Sequence, residues 1–426
     1  MAMTDPDPYR RRWLRRGAAA GAAAGLGWSG HAPGGEGGDE SGGAGQTRSL
    51  PASWTLPGDG FSNYGQPPDD GPIRWMSVEP GAPGTGVAWT PLHELEGTLV
   101  PNGLHFERHH AGVPALDAHE WRLVVEGLVE RPVTLDLAAL RRLPRRSRQA
   151  FIECGGNSNA LWRPEPVQAP VGWLHGLVSC SEWTGVPLRH VLERVGVKRR
   201  AGWLIADGLD ASGMTISLPL ATLPHDAMIA LYQNGEPLRA SQGFPARLVL
   251  PGIEGVAQVK WLGRLTLGDR AALSRFDTVA YTDLQPDGTS RRFSRTMDVK
   301  SVITHPAVGR AVPGGFTEVS GLAWSGAGHI ARVEVSTDGG RRFSDARLDG
   351  PARDRAFTRF RWPWRRPNGS GTAVLASRAT DSAGRVQPTR ATLLAEQGSH
   401  AYYHYHAITA IAVAPDGHVT HVHPDG

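Results

Sequence analysis

Hydrophobic and polar positions along the chain fall into short, separate patterns. Trp121–Val129 is partly alternating and rich in β-branched residues, which predicts a strand. Thr134–Leu143 carries Leu137 and Leu140 on one helical face. Pro187–Val195 predicts a better helix: proline opens it, Leu188, Val191, Leu192 and Val195 recur at helical spacing, and Gly196 ends it. Further strands are expected at 202–206, 214–218, 246–250 and 257–267. Strands and short helices mix without a strand–helix–strand rhythm, so the class expected is α+β.

The pattern changes after about residue 295. Ile330–Ser336, the turn Thr337–Gly340 and Arg341–Leu348 read as a hairpin, and Ala373–Thr380 followed by Asp381–Gly384 repeats the strand-plus-turn theme. With little helix expected, 295–426 fits a β-sandwich resembling an immunoglobulin fold. A chain of 426 residues is too long for one ordinary core. The organisation expected is a leader and linker at 1–50, an extended Pro/Gly-rich segment at 51–91, a first domain at 92–294 and the sandwich at 295–426 with a His-rich tail.

Composition narrows the chemistry. Only two cysteines occur, which excludes a disulfide-rich scaffold and all-cysteine metal clusters. No C-x-x-C-H occurs, so the chain attaches no c-type haem. The net charge is +4 and no basic face interleaved with aromatics stands out, which argues against nucleic acid. Arg10-Arg11-Arg12-Trp13-Leu14 precedes a short Ala/Gly stretch, the pattern of a twin-arginine signal, which exports folded and commonly cofactor-loaded proteins. No segment offers about 18 consecutive apolar residues, so no membrane span is expected.

Three segments carry candidate chemistry. Phe151-Ile-Glu-Cys154-Gly-Gly-Asn157 brings a cysteine to a Gly-Gly turn, where something large can approach the sulfur. It is either a thiolate for a soft metal, a buried free cysteine or half of a disulfide with Cys180. Around Ser241–Gly255 and Val259–Gly263, glycines, prolines, Arg247 and Lys260 suit a phosphorylated cofactor, or simply a tight turn. In Phe106-Glu-Arg108-His109-His110 an arginine beside two histidines suits an oxyanion, or a satisfied histidine pair. The histidines between His400 and His423 suit a metal, or an exposed edge and a loose end.

FxRxH, CGGN, GFPxRxxxPG and VKWLG, in this order, resemble the molybdopterin domain of the sulfite oxidase family across residues 92–290, and 296–415 resembles that family's dimerisation domain. Within the family, SCSEWTGVPL, YTDLQPDG and KSVITHP are most similar to the sulfane dehydrogenase branch, the molybdenum subunit of the thiosulfate-oxidising (Sox) system. The resemblance implies Cys154 as molybdenum ligand. It implies Phe106, His110, Asp210, Arg247, Gln258, Val259 and Lys260 as contacts of a molybdenum–molybdopterin cofactor. Arg108 would face the substrate anion, Trp173 would lie near the metal, and Tyr281 would hydrogen-bond there. It implies a c-type cytochrome as electron acceptor, a sulfur-carrier protein as a further partner, a homodimer or heterotetramer, and a periplasmic site of action.

Two departures bear on substrate. Asn159 stands where the family's CxGNRR has an arginine, and Gln242 stands where a histidine precedes GFP. A third arginine near the C-terminus has no clear match. A free dianion needs paired cations when desolvated. The expectation is therefore oxidation of a less charged substrate, carrier-bound sulfane sulfur, with Arg163 able to restore part of the charge. Alternatives are a direct sulfite dehydrogenase and a non-catalytic binding protein on the same scaffold.

Overall fold

The computed structural model describes residues 76–77, 84–292, 296–366 and 369–424. The twin-arginine pattern, the linker at 1–50 and most of 51–91 lie outside the described residues.

Two five-stranded sheets carry the first half. One runs in the order Val133–Asp136, Arg122–Gly127, Leu262–Gly268, Trp203–Gly208, Thr215–Pro219, with only the Arg122–Gly127 and Leu262–Gly268 pair parallel. The other joins Arg146–Glu153 to Val178–Pro187, then Met228–Gln233, which Arg247–Val249 also pairs. Leu123, Val125, Leu204, Leu248 and Leu265 are fully buried in the core these elements share. The helix predicted near 187–195 spans Leu188–Val195 and buries Leu188, Val191 and Val195 on that core. Proline caps it from outside, and Gly196 closes it at φ 68°.

Local patterns failed where tertiary pairing overrode them. The first residues of the 134–143 helix are the end of an edge strand, Val133–Asp136. Asp136 then caps the short helix Leu137–Arg141 by accepting from the Ala139 N–H at 2.6 Å. The strand expected at 257–267 begins only at Leu262, because a 3-10 turn at Gly255–Ala257 and Trp261 at φ 51° break the extended run. Ordered strands also precede Leu92, at Met76–Ser77 and Gly86–Ala88.

The C-terminal half forms a four-stranded and a five-stranded sheet with a common apolar core including Val319, Val333, Phe360, Leu375 and Val413. The expected hairpin is cut short: Ile330–Ser336 pairs with just Ser344–Asp345 on one side and with Ala373–Asp381 on the other, and Arg347–Asp349 crosses to the other sheet. A helix that strand patterning missed, Arg390–Gln397, is capped by Thr389. A further apolar seam joins the halves: Leu92, Phe151, Val178 and Cys180 pack with Val302, Leu322, Trp324 and Phe357. The architecture is sheet-rich with few helices.

Candidate active site

Cys154 ends the strand Arg146–Glu153, and its loop is fixed from all sides. Its N–H donates to Leu177 O at 2.9 Å and its carbonyl accepts from the Asn157 N–H at 2.9 Å. Asn157 then accepts from the Leu177 N–H at 3.1 Å and donates to Glu153 Oε1 at 2.9 Å. Gly155 is required on steric grounds: a Cβ there would sit 1.9 Å from Glu254 Oε1. Both cysteines are free. The Cys154 sulfur reaches two clefts, yet burial pushes its thiol up to about 11, against the opposing effects of the Gly156 N–H and the Arg108 charge. A metal ion is what would deprotonate such a thiol outright.

An inner cleft gathers Phe106, Arg108, His110, Cys154, Asp210, Arg247, Gln258, Val259, Lys260 and Tyr281. These are all the predicted site residues except Trp173, which lines the outer cleft. Arg247 is buried, donates to Gln242 O at 3.1 Å and Gln258 O at 3.1 Å, and lies over the Trp183 ring. Lys260 Nζ reaches Ser241 O at 3.2 Å and Arg108 O at 3.1 Å, and is 2.7 Å from His109 Nδ1. Burial pulls Arg247 down to about 9, and burial followed by the Arg247 charge pulls Lys260 well below its usual range. The Gln258 side chain is committed to the loop, donating to Ile253 O at 2.7 Å.

Two buried polar atoms in this cleft lack partners among the described residues, Arg247 Nε and Asp210 Oδ1. Desolvated cations, an orphaned guanidinium nitrogen and an orphaned carboxylate oxygen fit a ligand that carries a phosphate and a polar heterocycle. The donor set therefore suits a pterin cofactor, with the soft Cys154 sulfur at its end for the metal.

His110 Nε2 lies 3.0 Å from the Tyr281 hydroxyl. Burial, with Arg108 and Lys260 adding repulsion, lowers His110 to about 3, so it is neutral at pH 7. Burial first, and the neighbouring Cys154 next, hold Tyr281 well above its usual value, so its proton stays. Ser158, Trp261, Tyr281 and His404 all have φ between 49° and 66°, a conformation that non-glycine residues hold only when surroundings enforce it.

The outer cleft, about 660 Å³, meets the inner one at Cys154. Its walls include Trp89, Asn159, Trp173, Phe276, Tyr402 and Tyr403. Tyr402 and Tyr403 come from the tail. Their N–H groups donate to Asp283 at 3.0 and 3.3 Å, and the next residue, His404, donates its N–H to Gly155 O at 2.8 Å. The tail is thus no loose end: His404 and His421 are buried, and His404 pairs with Glu254 at 3.2 Å. No group of three metal-ligating side chains occurs among the described residues. Arg163 is exposed and lines neither cleft, so it does not restore the charge missing at Asn159. Gln242 serves the loop, donating to Phe106 O at 3.0 Å. Sequence reasoning missed Tyr402, Tyr403, Glu254 and Arg275; no local spacing links them to Cys154.

Comparison with known proteins agrees with this geometry. Residues 110–276 match the oxidoreductase molybdopterin binding domain, and residues 291–410 match the Mo-co oxidoreductase dimerisation domain. Sulfite oxidase of Gallus gallus is 35% identical over 319 residues, 69% of this chain and 69% of that protein. Mitochondrial sulfite oxidase of Homo sapiens is 31% identical, with 75% of this chain and 63% of that protein covered. The crystal structure of the sulfane dehydrogenase SoxCD from Paracoccus pantotrophus superposes with a TM-score of 0.79 at 39% identity, covering 88% of this chain and 98% of that one. A chain with this cysteine loop, this cationic cleft and these relatives belongs to the sulfite oxidase family of molybdenum–molybdopterin oxidoreductases, near the sulfane dehydrogenases.

Proposed function

We propose that the chain oxidises a reduced sulfur substrate by oxygen-atom transfer, that this substrate is sulfane sulfur on a carrier protein rather than free sulfite, and that the electrons pass to a c-type cytochrome. The observation that carries the choice of substrate is the environment of Cys154 on the outer side. Arg108 is the cation beside it, and Asn159 stands in place of a second. The remaining walls mix aromatic and small residues, with a second arginine, Arg275, exposed to solvent, and a compact dianion beside Cys154 would have Arg108 as its close cation.

The cofactor, when bound, supplies the two-electron acceptance and the oxygen transfer. Cys154 would ligate the molybdenum. Phe106, His110, Asp210, Arg247, Gln258, Val259 and Lys260 would hold the pterin, Gln258 and Val259 through backbone or loop geometry. Arg108 stabilises negative charge on sulfur–oxygen groups. Tyr281, protonated and steadied by His110, orients an oxygen near the sulfur of Cys154. Trp173 and the tail tyrosines exclude water and shape the entrance.

The wider setting of this reading is an exported, periplasmic protein using the twin-arginine route. Its C-terminal sheets form an immunoglobulin-like sandwich, and it acts as a homodimer or as part of a heterotetramer. No helix among the described residues is long and apolar enough to cross a membrane. A separate haem protein is needed because the chain has no C-x-x-C-H.

The decisive experiment has two arms. Cys154→Ser should retain pterin and lose activity, and near-normal turnover in it removes the central reading. Reduction of cytochrome c by the intact enzyme should be efficient with a protein-bound persulfide and poor with sulfite. Efficient turnover of free sulfite overturns the substrate choice and leaves the direct sulfite dehydrogenase, whereas molybdenum-free, inactive protein after cofactor-sufficient expression leaves a binding protein.

A further inference from the structure

Among the described residues, two guanidinium groups line the outer cleft, Arg108 and Arg275, and no carboxylate does. They differ in depth. Arg108 is half-buried and its charge acts on Cys154 and Tyr281. Arg275 is exposed and acts on His110. Neither makes an ion pair with a carboxylate among the described residues. Asp277, two positions beyond Arg275, turns away and accepts from Ser217 Oγ at 2.8 Å and the Ser217 N–H at 3.2 Å.

The backbone that presents Arg275 is fixed. Ser274 caps the short helix Arg275–Thr278, and Phe276 is buried with its ring 5.2 Å from that of His110. Through Phe276 the segment is thereby tied to the pair His110–Tyr281, while Arg275 itself lines the cleft and stays exposed. The same cleft carries two aromatic pairs: Trp89 and Trp173 pack together at 5.9 Å, and Tyr402 and Tyr403 at 4.9 Å.

From this arrangement we infer that Arg275 is the outer anion anchor of the substrate cleft, recognising a carboxylate or sulfonate that the substrate carries at a distance from its reacting sulfur. This rests on the reading of the cleft as the entrance for a sulfur substrate. It changes what the missing arginine at Asn159 means: positive charge has moved from the reacting end to the rim. The substrate class is an extended sulfur anion, with an apolar stretch for the aromatic walls and its acidic group at the mouth.

The test uses the holoenzyme and three thiols: mercaptohexanoate, its neutral isostere mercaptohexanol, and the short mercaptopropionate. Binding is read from quenching of tryptophan fluorescence and from competitive inhibition. Mercaptohexanoate should bind about fivefold more tightly than mercaptohexanol, as expected for one partly exposed charge contact. That preference should shrink at high salt. Arg275→Met should erase the preference, and Arg275→Lys should restore part of it, whereas mercaptopropionate affinity should be the same in all three proteins. An unchanged preference in Arg275→Met overturns the anchor. A loss shared equally by mercaptopropionate overturns the spacing. Both readouts are binding ratios, so they stand even if carrier-bound sulfane proves not to be the substrate turned over.

Discussion

The inner and outer clefts meet at one sulfur atom but are built on opposite plans. The inner cleft is small and charged. It draws its lining from segments 105–110, 152–154, 210–214, 242–261 and Tyr281, with Arg247 and Lys260 desolvated and Arg247 Nε and Asp210 Oδ1 unmatched. The outer cleft is wide and holds several aromatic side chains, and it borrows Tyr402 and Tyr403 from the far end of the chain. The inner side therefore commits its charge to one ligand that stays, while the outer side keeps its charge accessible for one that comes and goes. A cation can be held buried and half-satisfied only if something permanent completes it.

Several perturbations would break or sharpen this contrast. The largest effect is expected for Arg247→Met. Removing a buried, hydrogen-bonded charge from the inner cleft should weaken pterin retention by roughly two orders of magnitude, measured as molybdenum and pterin per chain after dialysis. Full occupancy would show that the inner cleft's charge is not there for the cofactor.

Next is the network beneath the cysteine loop. Lys300, from the C-terminal half, is buried with Nζ 3.2 Å from Glu153 Oε1 and 2.7 Å from Ser158 Oγ, and Trp324 donates to Glu153 Oε2 at 2.6 Å. Lys300→Met leaves Glu153 buried without its cation and should cost about 3–5 kcal/mol in urea unfolding. The double variant with Glu153→Gln should recover much of that. Additive losses would mean the two residues are not coupled.

Tyr281→Phe removes one hydroxyl between the clefts. Turnover should fall roughly three- to tenfold, the worth of a single hydrogen bond, with pterin content intact. On the outer side, Tyr402→Ala should raise KM by only a few fold, because Tyr402 is half-exposed and one wall among several. A loss of pterin in Tyr402→Ala would show that the clefts are not separable.

The smallest effect is on pH. Burial lowers His421 from 6.5 to about 4, partly offset by its contact with Ala169 O. The unfolded chain takes a proton near pH 6.5 that the folded chain refuses until about pH 4. Stability from this residue is thus complete above pH 6.5 and lost as pH falls toward 4, at most ~1.4 kcal/mol per pH unit. Urea midpoints across this range should fall less steeply in His421→Gln. His404 acts in the opposite sense: burial alone would lower it, but Glu254 raises it overall, so its contribution is present below pH 6.5 and fades above. Equal slopes in wild type and His421→Gln would remove the assignment.

Legibility followed the same divide. The Leu188–Val195 helix and the strands at Trp203–Gly208, Thr215–Pro219 and Ala373–Asp381 were readable because side-chain periodicity matches local backbone. The long pair Arg146–Glu153 and Val178–Pro187, which aims Cys154, was not expected as strands; its two members pair across the intervening cysteine loop and the helix Val171–His175. The tail misled, because His404, which looks solvated in sequence, is buried through contacts with Glu254 and Gly155, and the backbone before it is held by Asp283.

By itself the sequence determined the cysteine loop, the residues that gather in the inner cleft and the family, since each is a short motif whose glycines, cations and order are local properties. Only the tertiary structure decided what faces the substrate. Arg275, Tyr402 and Tyr403 reach the neighbourhood of Cys154 through sheet pairing and the packing of the tail onto Gly155, distances that no spacing along the chain encodes. Cys154, ambiguous alone, is set by the fold where a small cationic cleft and a wide one with aromatic walls converge, as a buried thiol pushed up to about 11 that a soft metal would suit.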